Sequence, residues 1–338
     1  MTNIRFRRAT TAVAAAAALA LSACSGQPGE QAPSADGGAG EPQTLQVAAT
    51  GVVSDGSLLT GVEEGFFEDE GLQVETSIVA NPAAGLAAVQ SGQVDVAFAP
   101  SVPVMNALSG GVPLTIVAAA DGYVDGASEA EDPSVYDDSG LYASRASGIT
   151  DVSQLEGRTV AVPARKAMFE VAIADELSRA GVDPDSVEWV TLDFASTVSA
   201  LESGKVDAAS VVTPFTVEAE QVGAVRIASA AVGLFEEGAV GLWVTGDSVA
   251  KDRAEAIEAF QRAIVRSNEF ANENNDVAVA AGLEFSGSDL DVADVKSPYW
   301  PTELRRADLD RINEKLVRLG FLEQGVDLDG KILGDGSR

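Results

Sequence analysis

One pattern is written twice in this chain, and it constrains the fold more than any other feature. The first copy runs through Ser91-Gly92-Gln93-Val94-Asp95 and the second through Ser203-Gly204-Lys205-Val206-Asp207. In each, a helical stretch ends at Ser-Gly, where glycine can take the left-handed conformation that closes a helix. A short apolar run follows, the signature of a buried strand. Each run stops at a proline, Pro100 or Pro214, because a buried strand cannot forgo the N–H that proline lacks. Solenoid repeats recur every ~20–50 residues. These copies lie much farther apart and indicate two similar lobes.

The elements around the two copies match in order. In the first half, residues 45–50 alternate as a strand and lead into a polar, glycine-bearing loop at 51–57. An amphipathic helix over 58–70 is stopped by Gly71, and a strand covers 72–80. Asn81-Pro82 reads as N-cap and first residue of a helix reaching Ser91. In the second half, residues 159–162 form a strand, 163–166 a loop, 167–179 a helix ending at Gly181, and 187–192 a strand. Ser196 caps the helix that reaches Ser203. Such alternation gives an α/β fold with mostly parallel sheets and helices on both faces. Further strands are expected at 112–120 and 240–245, helices at 252–272, 276–285 and 304–319, and a rigid aromatic loop at 297–301.

Charge and composition remove several function classes. The 338 residues carry a formal charge of −30 and no histidine. That field repels nucleic acid, and imidazole is missing as base or metal ligand. The single cysteine, Cys24, permits no intramolecular disulfide and no cysteine-based zinc site. Three arginines, Arg5, Arg7 and Arg8, precede an apolar run at 11–21 too short to span a bilayer. The run ends Leu21-Ser22-Ala23-Cys24, which resembles a bacterial lipobox. Residues 1–23 are therefore expected to be a signal peptide, Cys24 the lipidated N-terminus, and 24–43 a flexible tether on the outer face of a membrane.

Ligands of open α/β sheets sit beyond the carboxyl ends of the strands. The duplication places those ends at Thr50, Gly51 and Ser54, Asn81, and Ser101 and Val102 in one lobe. In the other they fall at Arg165 and Lys166, Ser196, and Thr213 and Phe215, with Trp243 on a nearby strand. Most of these loops run into helix N-termini, where free N–H groups favour an anion. Arg165 has the fork geometry to clamp a carboxylate or sulfonate. Asn81 reads both as a helix cap and as a ligand contact. Asp193 reads as a partner for local backbone or for an ammonium group. Phe215 and Trp243 suit either core or pocket wall. Asp95 and Asp207 lie at the opposite strand ends and read as structural. The acidic stretch 121–139, with Asp121, Asp137 and Asp138 among its members, lacks EF-hand spacing and reads as a solvated loop. No nucleophile elbow, P-loop or dinucleotide-binding glycine motif is present, so neither a catalytic residue, a cofactor nor a metal is expected.

The series Gly65-Phe66-Phe67 to Gly71-Leu72-Gln73-Val74, Ser91-Gly92-Gln93-Val94-Asp95, Gly110-Gly111-Val112-Pro113-Leu114 and the stretch 148–162 resembles the substrate-binding proteins of nitrate/sulfonate/taurine-class ABC importers. The likeness covers about 45–285. Two departures fall on the expected rim. Ala164-Arg165-Lys166-Ala167 stands where the family often has small hydroxyl residues, and Thr213-Pro214 where it usually has Glu-Pro. The resemblance implies a type II periplasmic-binding fold, with lobe I at 44–120 plus 238–338, an acidic loop at 121–139, lobe II at 140–237, and a two-strand hinge. It implies a monomer that closes on a small anion and delivers it to a membrane permease. An enzyme on the same scaffold and a ligand sensor without transport are the alternatives.

Overall fold

The structure, a computed structural model, describes residues 42–334. The signal segment, Cys24 and nearly all of the tether lie outside the described residues. Of the twelve strands among the described residues, ten form two sheets of five and two form a short ribbon. In chain order the strands are β1 (Gln43–Ala49), β2 (Leu72–Ile78), β3 (Val96–Pro100), β4 (Leu114–Ala119), β5 (Gly122–Tyr123), β6 (Ser139–Ala143), β7 (Thr159–Val162), β8 (Glu188–Thr191), β9 (Ala208–Val212), β10 (Val225–Ala228), β11 (Gly238–Ala239) and β12 (Gly241–Gly246). The first sheet has the order β2-β1-β3-β12-β4 and the second β10-β6-β9-β7-β8. Read from the other edge, the second repeats the first.

Each sheet has four strands in one direction and one against them. The reversed strands are β12, antiparallel to β3 and β4, and β6, antiparallel to β9 and β10. The reason is connectivity. Parallel strands run toward the hinge; β6 and β12 begin at it, immediately after the chain has crossed from the other lobe. The crossings are joined by a two-stranded ribbon in which Gly122 pairs with Ala239 and Tyr123 with Gly238. A Cβ on Gly122 would lie 2.0 Å from the carbonyl oxygen of Gly238, so the ribbon needs glycine there.

The twice-written motif does the same work in both sheets. The Asp95 carboxylate accepts the amide of Gln46 at 2.8 Å and pairs with Arg253 at 2.5 Å. The Asp207 carboxylate accepts the amide of Thr159 at 3.0 Å and pairs with Arg158 at 3.4 Å. Each aspartate thus satisfies a backbone donor on the neighbouring strand, far from the rim. Gly92 and Gly204 both take positive φ, 73° and 65°, at the helix exits.

Local structure departs from the sequence expectations at four places. The helix expected over 58–70 is two, Gly56–Glu63 and Phe66–Asp69, because Gly65 takes φ 76° between them. The loop at 51–57 winds into a 3-10 turn at Val53–Asp55 and the start of a helix, and residues 52–57 are buried. The helix Phe194–Glu202 is capped by Asp193, whose side chain accepts the Ser196 amide, and not by Ser196. The stretch 121–139 is not solvated throughout: Asp137 is fully buried and both ends enter sheet structure. Strands β6 and β10 escape sequence reading, since five and four residues are too few to show a period.

The helix Ala254–Glu273 buries Ile257, Phe260 and Ile264 on the first sheet. Its Asn268 accepts the Ser57 hydroxyl at 2.5 Å and donates to the carbonyl of Pro301 at 2.7 Å. Trp300, fully buried, donates its indole N–H to the Ser54 carbonyl at 2.7 Å. The aromatic loop therefore anchors the turn that follows β1. The last helix, Arg306–Arg318, touches both the helix Ser101–Ser109 of the first lobe and the helix Ala230–Phe235 of the second.

Candidate functional site

A cavity of about 880 Å³ lies between the sheets, at the hinge-facing ends of the parallel strands. Thr50 and Ser54 reach it from the end of β1, Asn81 from the end of β2, and Phe98 from β3. Arg165, Lys166 and Phe169 come from the turn after β7, and Phe194 from the helix after β8. Asp121, Tyr123, Tyr136 and Asp138 line it from the hinge side. The lobes also touch across it, where the Asn106 amide donates to the Lys166 carbonyl at 2.9 Å.

The structure brings Thr50, Ser54, Asn81, Arg165 and Lys166 to the cavity. Asn81 is also the cap of the helix Pro82–Ser91, accepting the Ala84 amide at 3.0 Å. The remaining expected contacts do not line it. Gly51 is held back at φ 71°, its amide donated to Asp55 at 2.7 Å. Ser101 and Val102 are fully buried in the first turn of their helix. Ser196 gives amide and hydroxyl to Asp193. Thr213, fully buried, donates amide and hydroxyl to the Asp138 carbonyl at 2.8 and 2.7 Å. Phe215 stacks behind Phe194 at 5.4 Å, and Trp243 stands edge-on to Phe98 at 5.9 Å. These side chains sit one layer behind the wall they support.

The charges of the site differ from the anion clamp expected. Arg165 forms a two-pronged pair with Glu170, Nε to Oε2 at 2.7 Å and Nη2 to Oε1 at 3.1 Å. The same carboxylate accepts the Lys166 amide at 2.6 Å, holding that residue at φ 55°. Glu170 is buried in the first turn of the helix Met168–Arg179, so its charge also suits the helix N-terminus.

Sequence reading missed the acidic floor. Asp121 follows β4 and Asp138 precedes β6, so the two carboxylates flank the hinge. Burial pushes both up, Asp138 to about 8, helped by repulsion from Asp121 and Asp137 and opposed by Arg226. Asp121 Oδ1 has no hydrogen-bond partner. A Cβ on Gly241 would lie 2.1 Å from that oxygen, so glycine there makes room for the carboxylate. Behind it, Asp55 accepts the amides of Thr50, Gly51 and Val52 on Oδ2 at 3.2, 2.7 and 3.0 Å. Its Oδ1 has no partner, and burial pushes it up to about 7. The signal for these residues was present in the sequence only as three aspartates near strand ends. Among the described residues, no group of three or more Cys, Asp or Glu side chains is placed to hold a metal ion.

Two five-stranded α/β lobes on a two-strand hinge, with a cavity at the hinge-facing strand ends, define a periplasmic-binding-protein fold. A family model agrees over most of the chain: residues 38–284 match the NMT1-like family, and the chain belongs to that family. No curated protein matches. Among solved structures, the chain is similar to the alkanesulfonate-binding protein SsuA from Xanthomonas axonopodis pv. citri bound to MOPS. Identity is 15%, coverage 87% of this chain and 99% of that one, and the TM-score 0.69. It is similar to the periplasmic nitrate-binding protein NrtA from Synechocystis PCC 6803 at 13% identity, covering 83% of each chain with a TM-score of 0.67. It is also similar to the desulfurization enzyme DSZB at 16% identity, covering 87% of this chain and 97% of that one with a TM-score of 0.61. Of these three similar structures, two are named as binding proteins and one as an enzyme. No described helix is long and apolar enough to cross a membrane.

Proposed function

We propose that this chain is the extracytoplasmic solute-binding subunit of an ABC importer. It captures a small organic ion between its lobes and presents the closed form to a membrane permease. The observation that carries this reading is the cavity of about 880 Å³ with walls from both lobes and the hinge. A ligand touching both walls favours closure by its differential affinity for the closed state. An anionic group on the ligand, as in the sulfonate and nitrate named for the similar proteins, would lie at the rim. There the Lys166 ammonium and the N-terminus of the helix Pro82–Ser91 supply positive potential. The lipobox-like Cys24 and the tether would hold the protein at the outer membrane face, with the lobes free to meet the permease.

A thermal-shift screen of small organic ions tests this. A ligand in excess of its dissociation constant raises the melting temperature by mass action, about 2.7 kcal/mol at a hundredfold excess. Scattering from the same solution should show a compact particle with ligand. Turnover of the hit on incubation, or no hit among small organic ions, would overturn the reading.

A further inference from the structure

The charged groups around the cavity differ in how far their bonds are already made. Arg165 is engaged on two prongs by Glu170. Asp193 caps its helix. The two carboxylates on the floor have no such ion pair, and Asp121 is stabilised only by neutral groups, the Ser54 side chain and the Gly241 backbone. Asp121 Oδ1 has no partner, and Asp55 behind it is 1% exposed with an unpartnered Oδ1 of its own. Arg226 acts on Asp138 but makes its own bonds to Ser139, Ser229 and Tyr142. Carboxylates largely withdrawn from water without a bonded cation are costly, and they repel one another. A positive group between them removes both penalties.

From this geometry we infer that the ligand carries a protonated nitrogen on an apolar body, with the nitrogen seated between Asp121 and Asp138. This rests on the solute-binding reading and names the ligand class for it. Phe98, Tyr123, Phe169 and Phe194 supply apolar and aromatic wall around that point, suited to a hydrocarbon body and to cation–π contact. A metal ion is a poor occupant, because no described cluster has a metal-binding donor set. The position also explains closure. Asp121 leaves the first sheet and Asp138 enters the second, so one ammonium group bridging them ties the lobes at the hinge. The charge of −30, which opposes the approach of an anion, draws such a ligand in. A ligand carrying an acid as well would place it at Lys166 on the rim.

The test is calorimetry and thermal shift on the full chain with matched pairs that differ only in the amine. Suitable pairs are 3-aminopropanesulfonate with propanesulfonate, phenylalanine with 3-phenylpropionate, and 2-phenylethylamine with 2-phenylethanol. The expected result is binding by the amine of at least one pair, at least tenfold tighter than by its partner. Asp121→Asn and Asp138→Asn, close in shape to the native side chains, should each lose at least tenfold of that binding while keeping the unliganded melting temperature within a few degrees. Equal binding within a pair, or preference for the amine-free member, would overturn the amine assignment and leave the solute-binding reading standing. Amine binding unchanged in both variants would overturn the seat. If no member of any pair binds, the amine assignment falls together with the organic-ion reading.

Discussion

Arg165 and Glu170 form a closed pair at the mouth of the cavity, with guanidinium and carboxylate joined at 2.7 and 3.1 Å. The arginine side chain is 49% exposed and the glutamate 6%. The cation that stands out in the sequence is therefore a brace for the turn after β7, and the buried acid is its organiser.

Arg165→Ala should leave ligand affinity within about threefold, because the guanidinium already has its carboxylate and a half-exposed pair contributes at most ~1 kcal/mol. Glu170→Ala should do more harm. It frees the Lys166 amide and the arginine together and loosens the positive-φ turn that meets Asn106. Calorimetry on both variants separates the roles; a tenfold loss in Arg165→Ala alone would make it a ligand clamp.

Asp55 gives the stability a pH dependence of definite sign. Its folded pKa of about 7 lies above the ordinary 3.8, chiefly through burial. The unfolded chain ionises first as pH rises, so this group's contribution is full below 3.8, falls across the window to about 7, and is flat above it. Asp55→Asn keeps one oxygen for the three amides and replaces the unpartnered oxygen with a neutral group. The variant should gain on the wild type as pH rises from 4 to 7, by on the order of 2–4 kcal/mol. Urea denaturation at several pH values reads this difference directly; parallel curves would refute it.

Binding of an amine should release protons near neutral pH. Asp138, pushed up to about 8, is largely protonated in the free protein at pH 7 and must ionise to face an ammonium group. Burial chiefly, with Asp121 and Asp137, holds that pKa up and Arg226 holds it down, while Arg165, Lys166 and Asp193 stand at the outer wall and Glu170 backs Arg165. Affinity should therefore rise with pH up to about 8 and weaken toward tenfold per unit below it. Calorimetry in buffers of different ionisation enthalpy counts the protons; a count of zero at pH 7 contradicts the expectation.

Trp300→Phe removes the indole donor to the Ser54 carbonyl while keeping most of the buried ring. The cost should be about 1–2 kcal/mol of stability. Because Ser54 lines the cavity, affinity should fall as well. A binding constant unchanged in the face of a lowered melting temperature would show that the turn after β1 does not depend on this anchor.

Much of the architecture was legible from local signals. The twice-written Ser-Gly-x-Val-Asp marks helix exit and buried strand through the left-handed glycine and the apolar run, and those depend only on neighbouring residues. Asn81-Pro82 announces its helix start in the same way. Strands β6 and β10 were not legible, because four or five residues are too few to show a pattern; Asp193 was legible as a partner for local backbone, but two capping candidates three residues apart look alike until they are packed.

The site divides along the same line. By itself the sequence determined two α/β lobes, the strand ends that carry the rim, and the absence of imidazole chemistry. Only the tertiary structure decided which charges remain available there. Arg165 and Glu170 are near in sequence, but their bidentate pairing depends on the turn's geometry. Asp55 lies far from Asp121 in sequence, and Asp121 and Asp138 stand at the two ends of one hinge crossing; they act on one another only because the chain crosses the hinge and β12 returns between β3 and β4. Burial sets the strength of a charge, and burial belongs to the folded chain as a whole.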